Sequence, residues 1–349
     1  MSDQDQVLFD ETAERLFAAH GASDAFVRQD PAETLARLWE PLEESGVLSM
    51  LMPEQSGGIG ADASSFAGVL RIAGRHGAPG PLAETMIARW LTAQIGVPCP
   101  KGSLTLAVNG WSTRAGVLSG QVRRGPNPTL DHTAVIHLTE GQAILQIAPV
   151  SRFSSAEGNN IAGEPFVELS GSANGILRGG SRCTLALAQR IDALLSLGRA
   201  ALMIGALENV MNLSLSYASE RVQFGRPIAQ FQAVQQQLAS LAGAVAAATA
   251  ITFAAARAME TGSGSALLDA ARIRVADAGD SVSAIAHQVH GAIGITREYS
   301  LQHFTRRLWA WRNEAMPRGA GGCPLAARFS QCSADELWSK LVEVSGGAA

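Results

Sequence analysis

The chain has 349 residues, of which 47% are hydrophobic and 17% charged, and this composition excludes a largely disordered protein. Its length allows two or three domains with large cores. The net charge of -4, without a basic stripe along the sequence, gives no reason to expect nucleic acid or an anionic membrane as a partner.

The four cysteines lie far apart and show neither CxxC nor Cys/His spacing. This pattern argues against a disulfide framework and against a zinc site, so we expect no metal, and a reducing compartment fits. The first residues are acidic and polar, unlike a signal or transit peptide. We therefore expect a cytoplasmic protein.

Residues 1–98 predict an N-terminal helical domain. Its clearest helix starts with Asp30 as the N-cap and Pro31 at the first helical position. We expect this helix to end at Gly46, because glycine commonly terminates helices. The loop that follows, residues 52–60 (MPEQSGGIG), is too rich in glycine for a helix or a strand.

Residues 99–182 predict a small β domain, since short apolar runs alternate here with glycine, proline and asparagine. Strands are expected over 103–108, 134–138, 143–147 and 166–169, and the middle two form a hairpin that turns at Glu140 and Gly141. The remainder of this region is punctuated by turn residues.

Residues 183–349 predict a C-terminal helical domain with an irregular tail. Pro227 is the only proline between Pro165 and Pro317, which leaves room for long helices. Apolar side chains recur at the spacing of one helix face, for example at Leu187, Ile191 and Leu194.

An uncharged stretch over 227–256 raises the question of a membrane span. Most of its apolar residues are alanine, which contributes little to membrane insertion, and five glutamines precede them. We therefore interpret the stretch as a buried helix of a bundle and expect no membrane span.

Two motifs carry the chemistry. Residues 220–235 read ERVQFGRPIAQFQAVQ, and residues 287–298 read HQVHGAIGITRE. Arg221 offers a planar guanidinium to a pyrophosphate, and Phe224 offers a ring that can lie against another ring. A second set of residues can reach a dinucleotide through an amide side chain or through bare backbone: Gln232, Gln288, Gly291 and Gly294.

Each of these residues also has a purely structural interpretation. Arg221 can pair with Glu220 or Glu208, and Phe224 can belong to the core. Gly291 and Gly294 can form a helix-terminating turn, the commonest use of such glycines. Taken together at this spacing, the residues favour a flavin site.

The first motif closely resembles the signature of the acyl-CoA dehydrogenase family, and the second resembles the family's QxxGGxG region. The 52–60 loop is similar to the family's N-terminal loop, and the resemblance extends over nearly all of 30–315, weakly in the middle. It implies a mainly α fold with an N-terminal helical domain, a reduced central β domain and a C-terminal four-helix bundle. It also implies FAD, held chiefly by the neighbouring subunit, and therefore an oligomer.

By this resemblance, the protein desaturates an acyl-CoA thioester and passes electrons to an electron-transfer flavoprotein. The family's own flavin cradle, a TEPxAGSD-like strand and loop, is absent from residues 104–112 (LTLAVNGWS). The sequence is similar to the degenerate half of bacterial heterotetramers (α2β2) that act on steroid side chains. We expect a homologous acyl-CoA dehydrogenase subunit as the partner, and a self-sufficient homo-oligomer is the alternative.

The family's base is a glutamate, and Glu314 falls at about the commoner of its two positions. Asp192 stands one helical turn from the alternative position and is a weaker candidate. The structural interpretation makes Glu314 a solvated charge beside Arg312. Five other residues are interpreted as structural or interface residues: His287, His290, His303, Trp309 and Trp311.

Two other functions remain open. The chain can be a catalytically silent scaffold that stabilises an active homologue. Alternatively, the same fold can support another flavin reaction, that of an acyl-CoA oxidase or a monooxygenase.

Overall fold

The computed structural model describes residues 3–20, 31–100, 102–123, 131–139, 142–178, 180–262, 264–315, 324–330 and 332–344. The chain divides into two compact units, Met1–Leu195 and Ser196–Ala349. The three-part division predicted from the sequence, 1–98, 99–182 and 183–349, stays a prediction.

Among the residues that the structure describes, four α-helices precede the first strand. They are α1 (Asp3–His20), α2 (Pro31–Glu44), α3 (Ala63–Arg75) and α4 (Leu82–Gln94). Helix α2 begins at Pro31 and ends two residues before Gly46, whose φ of 74° is of the kind that glycine adopts readily. The predicted cap Asp30 lies outside the described residues. Between α2 and α3, the predicted loop is confirmed, with one short 3-10 turn over Glu54–Ser56.

Seven strands form one sheet in the order β5-β6-β2-β1-β3-β4-β7. They are β1 (Leu104–Arg114), β2 (Val117–Arg123), β3 (His132–Thr139), β4 (Gln142–Pro149), β5 (Ser154–Asn159), β6 (Pro165–Ser172) and β7 (Ser181–Cys183). β1 and β3 run parallel, and the other pairs are antiparallel. The four predicted strands are confirmed and lengthened, whereas β2, β5 and β7 were missed. The predicted turn at Glu140 and Gly141 lies outside the described residues.

Edge strand β5 consists of small and polar residues, and every one of them is exposed. It therefore lacks the alternation of apolar and polar residues by which strands are recognised in a sequence. At the other edge, β7 is only three residues long.

After the short helix α5 (Ala173–Ile176), the chain becomes helical again. Four long helices are α6 (Leu185–Glu220), α7 (Gln232–Glu260), α8 (Ser265–His290) and α9 (Leu301–Ala315). A hairpin of β8 (Val222–Gln223) and β9 (Arg226–Pro227) separates α6 from α7. The tail contains α10 (Pro324–Phe329) and α11 (Ala334–Val344).

Helix α7 has two different faces. Its buried face repeats at helical spacing, as in Leu238, Leu241 and Val245, whereas Ala239, Gly243 and other small residues of the opposite face are exposed. By length and composition α7 could cross a membrane, and 28% of its most apolar window is buried. Such a helix alone is weak support for a membrane span, because core helices pass the same test. The predicted buried helix is thus buried on one face only.

A buried charge cluster joins α4 to the sheet. Arg123, at the end of β2, lies with its Nε 3.6 Å from an oxygen of Glu84 and its Nη2 3.3 Å from an oxygen of Glu164. All three side chains are less than 5% exposed, and the guanidinium lies over the ring of Phe166. Buried carboxylates require such a partner, because an uncompensated charge in the interior is costly.

We predict that Arg123→Met destabilises the protein strongly, because it removes a buried cation that lies close to both Glu84 and Glu164. The expected loss is about 3–5 kcal/mol in the free energy of unfolding, measured by urea denaturation. The control is Arg152→Met at an exposed position, for which a change of about 0.5 kcal/mol or less is expected. Equal losses in the two variants would contradict the importance of the cluster.

Candidate functional site

A small hydrophobic cluster brings the two sequence motifs together. Ala218 of α6, Leu238 of α7 and Val289 of α8 form its buried centre. Ile228 and Val234, on either side of Gln232, pack against the same cluster. The first motif therefore lies beside the second, although more than fifty residues separate them in the sequence.

The hairpin after α6 has an unusual tip. Phe224 and Gly225 both have positive φ, 52° and 81°, as in the two-residue turn that best fits the twist of a hairpin. Glycine adopts this backbone freely, whereas a bulky residue such as Phe224 is strained there. Strain of this kind is commonly retained at functional sites.

The ring of Phe224 is 94% exposed, so its interpretation as a core residue is wrong. Phe231 supports the hairpin: its ring and the ring of Phe224 meet edge to face, with centroids 6.2 Å apart. The guanidinium of Arg226 lies 4.3 Å from the centre of the Phe231 ring. The Phe224 ring is thus exposed to solvent on a turn that Phe231 stabilises. Arg221 and Gln232 are exposed on the same segment.

The second motif ends α8 in a glycine turn. Gln288 is exposed on the last turn of the helix. Gly291 follows with φ 62° and ψ −142°, a conformation essentially restricted to glycine, and nothing occupies the place of its missing side chain. The backbone here is open to a ligand.

Gly294 differs from Gly291, because it is buried. A Cβ at this position would lie 3.0 Å from atoms of His290 and Leu301 and 3.3 Å from His287. The absence of a side chain at Gly294 thus allows close packing inside the protein, which is an explanation independent of any ligand.

The histidines near this turn have partners. His290 is buried, stacks on Tyr217 and contacts Tyr299, while His287 contacts Thr305 and stacks on Trp309. Sequence reasoning missed both tyrosines. A signal was available, because they are the only two in the chain and each lies within nine residues of a motif glycine or arginine.

Glu314 is paired with Arg199, which lies near the middle of α6. Its Oε2 lies 3.0 Å from Nη2 of Arg199, and the two side chains are 9% and 8% exposed. Arg312 instead pairs with Asp280. The interpretation of Glu314 as a solvated charge beside Arg312 is therefore wrong, and Arg199 is a partner that the sequence analysis did not identify.

The base candidate and the nucleotide candidates are far apart. Arg199 lies within α6, and Arg221 directly follows the last residue of that helix, 22 positions later, or about 33 Å along a straight helix. Glu314, which contacts Arg199, therefore cannot act on the same atoms as Arg221. The weaker candidate Asp192 is exposed.

No cluster of three or more metal-ligating side chains occurs in the described parts of the chain. The candidate site is therefore built from a cation, an aromatic ring, amides and bare backbone. Such a set can hold a phosphorylated planar ligand.

Comparisons with known proteins point to one family. Residues 189–312 match the family described as acyl-CoA dehydrogenase, C-terminal domain. The chain is 28% identical over 310 residues to acyl-CoA dehydrogenase IpdE2 of Mycolicibacterium smegmatis, covering 87% of this chain and 92% of that protein. It is 29% identical to the IpdE2 of Mycobacterium tuberculosis, covering 87% and 91%.

Solved structures share the fold. The ChsE4-ChsE5 complex of Mycobacterium tuberculosis matches with a TM-score of 0.75 and 21% identity, over 96% of this chain and 99% of that chain. The steroid acyl-CoA dehydrogenase Tcur3481-Tcur3483 matches with a TM-score of 0.77 and 21% identity, over 98% and 99%. The predicted mainly helical fold with a small sheet and a C-terminal helical domain is confirmed.

We predict that acidification below about pH 6.5, the ordinary histidine pKa, destabilises the C-terminal helices. Burial lowers the pKa of His287, His290 and His303. At acidic pH the histidines of the unfolded chain therefore bind protons that those of the folded chain do not. The free energy of unfolding is highest above the histidine pKa of the unfolded chain and decreases as the pH drops. Urea denaturation at pH 7.5, 6.5 and 5.5 measures the effect, and His287→Asn should reduce the slope. A slope of the opposite sign would contradict it.

Proposed function

We propose that the chain is a member of the acyl-CoA dehydrogenase family, and a subunit of a flavin-dependent enzyme that introduces an α,β double bond into an acyl-CoA thioester. The observation that carries this proposal is that Arg221, Phe224, Gln288 and Gly291 are all exposed, on segments that flank one shared hydrophobic cluster. These residues fit a flavin nucleotide by their chemistry.

Residues of both motifs would hold the nucleotide. Arg221 would bind the pyrophosphate through its guanidinium, and Phe224 would pack against a ring. Gln232 and Gln288 would supply amide groups, and Gly291 offers backbone that no side chain obstructs. When bound, FAD supplies the acceptor for the hydride that leaves the β-carbon.

The flavin lies across a subunit boundary in this proposal. Phe224 and its neighbours face outward and are not closed over by the described residues of the same chain. The exposed face of α7 presents small, uncharged residues, Ala239, Gly243, Ala246, Ala247 and Ala250. A helix of this kind permits close packing against a second protein surface, which explains α7 without a membrane.

We propose a homologous acyl-CoA dehydrogenase subunit as that partner, in an α2β2 assembly, with an electron-transfer flavoprotein as the acceptor. Two observations support a heteromeric rather than a homomeric assembly. The sequence over 104–112 lacks the family's flavin-holding motif, and the fold matches a chain of the ChsE4-ChsE5 complex.

The role of Glu314 separates two candidate functions. In the first, this chain supplies the catalytic base; in the second, it supports a partner that does. A carboxylate that takes the α-proton must lie within hydrogen-bond reach of that proton. The Glu314 carboxylate is instead held in an ion pair inside the chain, with Oε2 3.0 Å from Nη2 of Arg199. The Arg199 contact therefore favours the second candidate, a supporting subunit whose partner supplies the base.

We predict that Arg221→Ala weakens flavin binding by about 10- to 100-fold, because a charge-assisted contact to a phosphate is lost. The native assembly is purified through a tag on this chain, and its flavin content and FAD dissociation constant are measured. Arg257→Ala, at an exposed position of α7, is the control. An assembly that never contains flavin would reject the proposed function.

The same purification separates the oligomer alternatives. A yellow, active protein obtained from this chain alone would reject the heteromeric assembly. Rapid reoxidation of the reduced flavin by oxygen would indicate an oxidase or monooxygenase instead of a dehydrogenase.

We predict that Glu314→Gln in the assembled protein changes turnover less than about tenfold, since a supporting residue takes no proton; loss of a true base costs about 10²- to 10⁴-fold. Turnover is measured per bound flavin. The double variant Arg199→Gln/Glu314→Gln is the control, because it removes both charges and leaves no buried cation unpaired. A loss of the larger size in both variants would identify Glu314 as the base.

A further inference from the structure

An aromatic cluster connects the two nucleotide-facing segments. The rings of Tyr217 and His290 are stacked, with centroids 4.5 Å apart and planes 23° from parallel. Tyr299 closes the cluster: its ring centre lies 5.1 Å from that of His290 and 6.1 Å from that of Tyr217. The three side chains come from α6, from α8 and from the segment after the glycine turn.

Tyr217 and His290 are each attached directly to a segment of the candidate site. The carbonyl of Tyr217 accepts a hydrogen bond from the backbone N–H of Arg221 at 2.9 Å. The carbonyl of Arg221 in turn accepts from the N–H of Ile228, which closes the hairpin. His290 immediately precedes Gly291, so the stack joins the base of the hairpin to the start of the glycine turn.

The hydrogen bonds fix the protonation of the cluster. Nδ1 of His290 lies 2.8 Å from the carbonyl of Ala286, so this nitrogen carries the hydrogen and donates it. Nε2 lies 3.2 Å from the Tyr299 hydroxyl, which then donates to the free nitrogen. This tautomer is inferred from the hydrogen-bond partners.

Around neutral pH, the protonation states of His290 and Tyr299 both allow this hydrogen bond. Burial lowers the pKa of His290, which keeps the imidazole neutral and able to accept. Burial, with contributions from Glu220 and Tyr217, raises the pKa of Tyr299, which keeps its hydroxyl protonated and able to donate. The bond is therefore maintained as one defined donor and acceptor pair.

We propose that Tyr217, His290 and Tyr299 are positioning residues that hold the Arg221 hairpin and the Gly291 turn in one fixed arrangement, and so set how tightly the flavin nucleotide is bound. The inference rests on the proposed function for its ligand, whereas the positioning of the two segments can be tested without a ligand. The strained backbone at Phe224 makes such a support necessary, because a strained segment persists only when its surroundings determine it.

Tyr299→Phe tests the proposal with the smallest change, the removal of one hydroxyl. In the flavin-free chain, hydrogen exchange should accelerate at residues 222–228 and 291–296 and stay unchanged in α1–α4. In the native assembly, the FAD dissociation constant should rise about fivefold, the effect of one lost hydrogen bond. The melting temperature should change little, which separates positioning from general destabilisation.

Ser219→Ala is the matched control, because it removes a nearby hydroxyl that bonds to a carbonyl of its own helix, that of Leu215. His290→Phe keeps the stack but cannot accept from Tyr299, so it should reproduce the effect of Tyr299→Phe. Adding Tyr299→Phe to His290→Phe should then have little further effect.

Unchanged hydrogen exchange at residues 222–228 and 291–296 in Tyr299→Phe would overturn the proposed positioning role, whatever the effect on flavin binding. An unchanged FAD dissociation constant in an assembly that binds flavin would also overturn the proposal. A wild-type assembly that takes up no FAD would instead reject the proposed function, and the two failures are thereby distinguished.

Discussion

The packing of three helix ends around Ala218, Leu238 and Val289 is the contact on which the candidate site depends. Few apolar side chains are buried there, and the segments that they support are exposed and in part strained. Hydrophobic burial acts without direction, so this cluster can bring the segments together but cannot set their relative rotation. Directional contacts, such as a stacked ring and a hydrogen bond to a defined tautomer, supply that specificity.

The paired charges in the interior show a second constraint. Arg199 with Glu314, and Arg123 between Glu84 and Glu164, are almost completely removed from water. Such pairs seldom add much net stability, because desolvation offsets the attraction. They are costly to break, however, and they restrict the arrangements that the helices and the sheet can adopt. A carboxylate held in this way is well suited to a structural role.

Much of the fold could be predicted from the sequence, because long helices and apolar strands follow local patterns. Strands β5 and β7 could not, since one contains no large apolar residue and the other has three residues. The residues proposed to bind the nucleotide were identified from two short motifs. The partner of Glu314 was not, because Arg199 is more than a hundred residues away and ion pairs between distant segments leave no local pattern. The contrast between Gly291 and Gly294 likewise required coordinates, as both look alike in the sequence.

The edges of the sheet affect how the chain can associate. Strand β5 ends one side with small and polar residues and the charge of Glu157, and β7 ends the other side after three residues. An unpaired edge can recruit a foreign strand, but a short or hydrophilic edge gives that strand little to bury. Growth of the sheet into fibrils or domain-swapped ribbons is thereby discouraged, and association is left to the helical surfaces.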